Sequence, residues 1–400
     1  MNSSIDTSEE NIRNILTRGV EDIVVKEHVE SRLTSGEKLR VKLGIDPTGN
    51  TIHIGRAVVL RKLKAFQDLG HHIILIVGDF TAQIGDPSDK LEKRPMITRE
   101  SIDENLKNYK KIIGKIIDVD KAEFVYNSEW LKKLGFQEIS ELAESFSVQQ
   151  MIARRNFKER IDKGQEISLR EFLYPLMQGY DSVAVEADVE LGGFDQLFNL
   201  KAGRVIQKHF GQPEQDIVAT AMLEGTDGRK MSTSWGNVIN ITDEPNDMYG
   251  KVMSLNDNLI IKYFLLCTDV KQEEIKTIEK ELAGDANPRD LKMRLAREIV
   301  TLYHDKDAAD KAQENFINTF AKGGVPDNVE IVKVKKGTLL ADILIQKNIV
   351  PSKSEWRRLV EGHSASIMGT GKKIEDQFEK IEEPGVYKIG SRRFIKIEID

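Results

Sequence analysis

Leu39-Arg40-Val41-Lys42-Leu43-Gly44-Ile45 runs into Asp46-Pro47-Thr48-Gly49-Asn50, and about twenty residues later His72-Ile73-Ile74-Leu75-Ile76-Val77-Gly78 follows. The first heptad alternates in the manner of a strand, and Asp46–Asn50 is turn chemistry. Between the two runs, Leu60, Leu63, Phe66 and Leu69 recur at helical spacing. The apolar run from Ile73 to Val77 reads as a strand buried on both faces, ended by Gly78. Strand, helix and strand in this order predict a parallel pair with a helical crossover. Ile112, Ile113, Ile116 and Ile117 mark another amphipathic helix, ahead of a strand at Glu123–Tyr126. The expected fold class is α/β with a mostly parallel sheet. Ligands should sit at the carboxyl ends of its strands. No G-x-G-x-x-G follows a strand and no Walker lysine loop occurs, so dinucleotide and P-loop readings are disfavoured.

Composition sets outer bounds. Four hundred residues suggest two or three domains, and 40% hydrophobic with 31% charged residues is ordinary for globular chains. No stretch approaches the roughly 18 uncharged apolar residues of a membrane span. The start, Met1-Asn2-Ser3-Ser4-Ile5-Asp6, lacks the basic and apolar regions of a secretory signal. A lone Cys267 excludes internal disulfides and a cysteine-rich zinc site, which fits a reducing cytoplasm, and it reads as a buried core thiol. The net charge of −6 means that any RNA contact must come from local basic patches.

From about 236 the pattern turns helical, as in Ile260-Ile261, Phe264-Leu265 and Leu291, Leu295, Ile299, Leu302. Gly323-Gly324-Val325-Pro326-Asp327 is the linker candidate. Beyond it, Leu339–Ile349 has a helical pattern, and Ser352 caps a helix carrying Trp356. Lys353, Arg357 and Arg358 fall on one face of that helix, and a β-rich tail ends in Tyr387-Lys388-Ile389 and Phe394-Ile395-Lys396-Ile397. From 338 on there are 11 basic and 10 acidic side chains, so only their clustering speaks for RNA, and a solvated helix face is the alternative.

Two short motifs, His53-Ile54-Gly55-Arg56 and Lys230-Met231-Ser232-Thr233-Ser234, lie about 175 residues apart, with Leu191-Gly192-Gly193-Phe194-Asp195-Gln196 between them. In this order they resemble the two signatures by which class I aminoacyl-tRNA synthetases hold ATP. Adenylate formation builds negative charge on an α-phosphate as pyrophosphate leaves, and helix amides, imidazole and lysine donors offset that charge. Tyr174, Gln178 and Asp181 lie at i, i+4 and i+7 among Phe172, Leu173, Leu176 and Met177, a pattern suited to a pocket with a few placed polar groups. A wet surface stripe is the alternative. With Gly78-Asp79-Phe80-Thr81 and Ile84-Gly85-Asp86-Pro87, this stretch resembles the bacterial tyrosyl-tRNA synthetases. The likeness runs from about residue 37 to 398.

The resemblance implies a Rossmann-like catalytic domain over 1–235 with a connective insertion at about 100–165, a helical anticodon-side domain over 236–325, and an S4-like RNA-binding domain over 338–400. It further implies that Asp181 accepts a hydrogen bond from the substrate phenol. Tyr174, Gln178 and Asp86 would surround the ammonium, Gln196 would face the carboxyl group, and Gly44 would line the tyrosine site. Asp195, Gly192 and Gly193 would meet the ribose. Asp46, Thr48, His53 and Gly55 would approach the phosphates, with Lys230 reaching them from its loop. Lys90 and Arg94 are candidates for the leaving pyrophosphate, and Lys353, Arg357 and Arg358 for tRNA. The implied substrates are L-tyrosine, tRNA(Tyr) and ATP carrying Mg²⁺, with no protein-bound metal. The family analogy adds a homodimer, and a cytoplasmic enzyme clear of membranes. A tryptophan substrate is disfavoured by Asp181 and Tyr174.

Four positions depart from the family pattern. Arg56 stands where histidine or asparagine is usual, Thr233 where lysine is usual, Phe194 where a small hydroxyl residue is usual, and Asp89 where glycine is common. A charge about 4 Å from a phosphate is worth on the order of 4 kcal/mol at an effective dielectric near 20, so Arg56 is expected to restore part of what Thr233 lacks. Phe194 is expected to narrow the ribose side. A synthetase-derived paralogue that binds RNA or tyrosine without charging tRNA stays open as a second reading, as does an enzyme that activates tyrosine or an analogue for another acceptor.

Overall fold

The alternating heptad and the apolar run become adjacent parallel strands in the computed structural model, which describes residues 5–87, 98–284, 286–321, 329–347, 349–368, 370–390 and 393–399. The strands of the first sheet are β1 (Val20–Val24), β2 (Arg40–Ile45), β3 (His72–Val77), β4 (Ala122–Tyr126), β5 (Val189–Gly193) and β6 (Asp216–Thr220). Their spatial order is β1-β6-β5-β2-β3-β4, with every pair parallel except β1 against β6. β2 and β3 pair from Arg40 opposite His72 to Ile45 opposite Val77. Ile73 to Val77 are all buried, which is why this strand carries no polar alternation.

The crossover helix Ile54–Asp68 follows the expected period, burying Ala57, Leu60, Leu63 and Phe66 against the sheet. Each of the larger of these side chains contributes roughly 1.5–3 kcal/mol through loss of apolar surface from water. His53 is its N-cap, in an extended conformation. On the same helix, buried Lys62 donates to the carbonyls of Ile15 and Arg18, both at 2.7 Å, at the end of helix Glu9–Thr17. That amine satisfies carbonyls the helix leaves unpaired, and burial pulls its pKa down to about 7.

The segment 99–162 is mainly short helices, including Phe136–Glu144, Val148–Ile152 and Arg155–Asp162. The long helix Leu169–Ala184 begins with a capping box from Ser168 and Glu171 and packs on helix Leu197–His209. Gly179 permits that approach, since a Cβ there would meet the Ala202 carbonyl oxygen at 3.1 Å.

Beyond 236, helices Pro245–Met253, Ile260–Cys267, Gln272–Ala283 and Pro288–Tyr303 pack together. Arg18 ties this group to the sheet side by donating to the carbonyls of Leu265 (3.0 Å), Val270 (2.7 Å) and Thr268 (2.6 Å). Cys267 is buried, and burial pushes its thiol up to about 12.

The chain divides into two compact units, Met1–His304 and Asp305–Asp400. The second contains helices Lys306–Phe316, Leu340–Gln346 and Lys353–Glu361 with strands β7 (Glu330–Val334), β8 (Ala365–Ile367), β9 (Gly385–Ile389) and β10 (Arg393–Ile399). Its sheet order is β7-β10-β9-β8. Trp356 is the largest side chain of its core, and its indole N–H donates to the Gln377 carbonyl at 2.8 Å. Ser352 accepts from the Glu355 amide at 3.2 Å, the expected cap. The helix expected over Leu339–Ile349 is shorter, ending at Gln346. The linker candidate Gly323–Asp327 lies outside the described residues.

Candidate active site

The carboxyl ends of β2, β3, β5 and β6 open into a cavity of about 640 Å³. It brings together Gly44, Asp46, Thr48, His53, Gly55, Arg56, Asp86, Tyr174, Gln178, Asp181, Gly192, Gly193, Asp195, Gln196, Lys230 and Thr233, residues far apart along the chain. Phe194 is 41% exposed and is not among the lining residues, so the expected narrowing of the ribose side by its ring is not found. Its neighbours Gly193 and Asp195 line the cavity on either side of it, at the short helical turn Phe194–Gln196. Asp89, Lys90 and Arg94 lie outside the described residues.

On the nucleotide-motif side, the Arg56 amide donates to His53 Nδ1 at 3.3 Å, so the proton of a neutral imidazole sits on Nε2. Burial, with Arg56 and Lys230 nearby, pushes His53 down to about 4, which keeps the ring neutral at physiological pH. Its Nε2–H is a donor at the N-terminus of a 15-residue helix, where backbone amides favour anions. The Arg56 guanidinium donates to Thr48 Oγ1 at 3.2 Å, joining the turn after β2 to the first motif. A Cβ on Gly55 would meet the His53 ring at 3.1 Å and Met231 Sδ at 3.3 Å, so the two motifs pack closely at this glycine.

Lys230 pairs with Asp195 at 2.9 Å. The loop carrying Lys230 is organised by Asn237, which is 3% exposed: it donates to Asp227 Oδ1 (2.8 Å) and the Lys230 carbonyl (3.1 Å) and accepts from the Ser232 amide (2.8 Å). The chain beyond it pairs with the first motif, Ile54 N–H to the Ile239 carbonyl at 2.8 Å and Ile241 N–H to the Ile52 carbonyl at 3.0 Å.

Opposite lies the pocket helix Leu169–Ala184. Asp181 is 4% exposed and accepts from Trp130 Nε1 at 2.8 Å and Asn127 Nδ2 at 3.3 Å. Burial pushes its carboxyl up to about 7, against the pull of Lys42 and of these two hydrogen bonds. Tyr174 donates to Asp46 Oδ2 at 2.9 Å, and Asp46 Oδ1 accepts from Thr81 at 2.7 Å. Asn127 also donates to Thr81 at 3.0 Å, completing a polar chain from the turn after β2 to Asp181. Gly78 makes room for it, since a Cβ there would stand 2.0 Å from Asp46 Oδ1. Asp86 accepts from Gln196 Nε2 at 2.8 Å and from Asn199 Nδ2 at 3.4 Å. Asn199 in turn accepts from Arg154, whose guanidinium lies 4.5 Å from the Phe198 ring centroid.

Sequence reasoning does not single out Asn127, Trp130, Asn199 or Asn237. Asn127 and Trp130 closely follow β4, and the strand-end rule points to such positions. Lys42 reads from sequence as one position of an alternating strand, yet it is 1% exposed.

In the second unit, Lys353, Arg357 and Arg358 are exposed, their side chains 75%, 61% and 77% accessible, each beside an acidic neighbour: Asp342, Glu361 and Glu355. Among the described residues no group of three or more His, Cys, Asp or Glu side chains could hold a metal ion, and no helix is long and apolar enough to cross a membrane.

A family model, tRNA synthetases class I (W and Y), matches residues 34–321. The chain is 46% identical over 395 residues to a Thermotoga maritima protein named tyrosine–tRNA ligase, covering 98% of both chains. It is 46% identical over 398 residues to one of the same name from Carboxydothermus hydrogenoformans, covering 96% of each. Among solved structures, a C-terminally truncated mitochondrial tyrosyl-tRNA synthetase of Aspergillus nidulans superposes with a TM-score of 0.64 at 22% identity, covering 78% of this chain and 95% of that one. An Archaeoglobus fulgidus tyrosyl-tRNA synthetase complexed with L-tyrosine gives 0.61 at 22% identity, covering 77% of this chain and 100% of that one. At such identities the structural likeness speaks for the fold.

Proposed function

Since the chain belongs to the class I tRNA synthetases of the tryptophan and tyrosine group, we propose that it joins L-tyrosine to tRNA(Tyr) by way of tyrosyl adenylate. The observation that carries the choice of tyrosine is the buried Asp181 carboxylate, held by Trp130 and Asn127 at the wall of a cavity that also contains both nucleotide motifs. A phenol hydroxyl satisfies that acceptor, whereas a phenyl ring leaves it desolvated and short of a partner.

The reaction needs no nucleophile from the protein. An oxygen of the tyrosine carboxylate attacks the α-phosphorus of ATP, the bond to pyrophosphate breaks, and pyrophosphate leaves with its Mg²⁺. The terminal ribose hydroxyl of tRNA then attacks the adenylate carbonyl and releases AMP. Catalysis is positioning plus stabilisation of charge on phosphate oxygens. His53 offers its Nε2–H, the helix it caps offers amides, and Lys230 reaches over from its loop, with Arg56 adding charge where Thr233 has none. Tyr174, Gln178 and Asp86 hold the ammonium, Gln196 the carboxyl group and Asp195 the ribose.

In this reading residues 1–235 form the catalytic domain, 236–325 the anticodon-side domain and 338–400 an S4-like module that contacts tRNA phosphates through Lys353, Arg357 and Arg358. Exposed Phe136, Val148 and Leu169 supply apolar surface for a second copy of the chain. A reduced Cys267 suits a cytoplasmic enzyme. ATP–pyrophosphate exchange with tyrosine, phenylalanine and tryptophan tests the reading. Exchange driven by tyrosine alone is expected. Tyrosine binding without exchange would mark a non-charging paralogue.

A further inference from the structure

Behind the amino-acid side of the cavity lies an ion pair that takes no part in lining it. Lys42 on β2 and Glu190 on β5 are directly opposite in the parallel register, and each is 1% exposed. Lys42 Nζ stands 3.2 Å from Glu190 Oε1 and donates to Ser182 Oγ at 2.5 Å and the Gln178 carbonyl at 3.1 Å. Glu190 Oε1 accepts from Gln178 Nε2 at 3.0 Å, and its other oxygen accepts from Gln215 Nε2. Three of these contacts end on the helix that presents Gln178 and Asp181. Replacing a buried ion pair by apolar side chains of similar volume is often neutral for stability, so folding alone gives little reason for this one.

We propose that Lys42 and Glu190 are a positioning pair for amino-acid selection: Glu190 turns the Gln178 carboxamide so that its oxygen faces the cavity, and Lys42 holds Asp181 as the charged acceptor for a phenol. This rests on the tyrosine-activating reading and deepens it. The first half follows from donor and acceptor chemistry. An ionised carboxylate only accepts, so the Gln178 NH₂ must face Glu190, leaving Oε1 for the substrate ammonium, which only donates. The second half follows from placement and charge. Lys42 Nζ donates to Ser182, the residue next to Asp181, and to the Gln178 carbonyl one turn earlier, which puts its ammonium behind the stretch of helix that carries the carboxyl. Burial raises the Asp181 pKa, and Lys42 opposes that rise while Glu190 works the other way. The groups around Asp181 are Lys42 from β2, Glu190 from β5, Asn127 and Trp130 from the segment after β4, Tyr174 on its own helix, and Asp46 through Thr81 and Asn127. Lys42 is the cation among them. Without it, a carboxyl that titrates near neutral pH takes up a proton and becomes a weaker acceptor, which narrows the advantage of a hydroxyl donor over a bare ring.

The test is exchange kinetics from pH 6 to 9 with tyrosine and phenylalanine, in the full chain, for Lys42→Met and for the double variant Lys42→Met/Glu190→Gln. The double variant keeps an acceptor for Gln178 and leaves no unpaired buried charge. In Lys42→Met the pH midpoint of kcat/KM for tyrosine should move up by about one unit, lowering kcat/KM at pH 7 about fivefold and recovering by pH 9. The double variant should move the same way by less, because the opposing Glu190 charge is gone as well. Phenylalanine kinetics and the KM for ATP should stay as in the parent. An unchanged pH midpoint and tyrosine-to-phenylalanine ratio in both variants would overturn the proposal, as would an equal, pH-independent loss for both amino acids. A parent protein that fails to exchange with tyrosine would instead overturn the functional reading.

Discussion

Replacing Asn237 with alanine should slow adenylate formation while leaving tyrosine recognition alone. The side chain makes three hydrogen bonds that tie Asp227, the Lys230 carbonyl and the Ser232 amide into one turn. Neutral bonds of this kind contribute about 1 kcal/mol each, and one to a carboxylate contributes more. The bond to Asp227 is also the foremost influence holding that carboxyl down to about 2. The two bonds to the loop's own backbone, at the Lys230 carbonyl and the Ser232 amide, hold about 2 kcal/mol of order in the segment that presents Lys230. If all of it is felt in the transition state, the rate falls roughly 30-fold. Single-turnover formation of tyrosyl adenylate, with tyrosine KM measured in parallel, separates the outcomes. A rate within about threefold of the parent, or an effect that appears chiefly in tyrosine KM, would refute the claim that Asn237 acts through the lysine loop.

Other outcomes follow from the same geometry. Asp181→Asn should cut tyrosine activation and narrow its lead over phenylalanine, while Gln178→Ala should impair both amino acids alike, as exchange kinetics will show. Because the folded-state pKa of Asp181 is raised from 3.8 to about 7, the stability of the parent falls as pH rises between those two values and levels off above them. The melting temperature of Asp181→Asn should therefore gain on the parent from about pH 4.5 to 7.5, and parallel curves would contradict the raised value. In a double-mutant cycle, Thr233→Lys should recover more exchange rate in an Arg56→His background than in the parent, and strictly additive effects would show that the two positions do not share the phosphates. Neutralising Lys353, Arg357 and Arg358 together should flatten the salt dependence of tRNA binding by about 0.7–0.9 in logarithmic slope for each phosphate no longer neutralised, while an unchanged slope would leave them a solvated helix face.

The centre of the sheet was legible because burial on both faces writes an unbroken apolar run, as in Ile73–Val77. The edge strand Val20–Val24 was not, since it is antiparallel, carries Glu21 and Asp22, and is nowhere fully buried. Site residues were legible where their spacing is local: Tyr174, Gln178 and Asp181 share one helix face, and His53 to Arg56 are consecutive. Asn127, Trp130 and Asn237 come from positions whose value arises only when distant strands and turns close around them. Lys42 shows a different limit. A lysine at an alternating position reads as solvent-facing until a helix covers that face, and only its glutamate partner on another strand explains its presence. Phe194 misleads in the opposite sense, because a large residue between two cavity-lining neighbours is itself half-exposed and outside the lining.

The pairing of Lys230 with Asp195 closes the charge around the cavity into a circuit. On the proposed roles, the ribose claims one end of that pair and the triphosphate claims the other. A nucleoside alone must strip Asp195 of its cation, and pyrophosphate alone must strip Lys230 of its anion. Each fragment then bears the whole cost of separating the pair, whereas intact ATP bears it once and satisfies both ends. Binding of one fragment thus prepares the site for the other, and by reciprocity the second must strengthen the first by the same factor. The enzyme would in this way count the two halves of its nucleotide together, and adenosine would be a poor competitor until pyrophosphate is supplied with it.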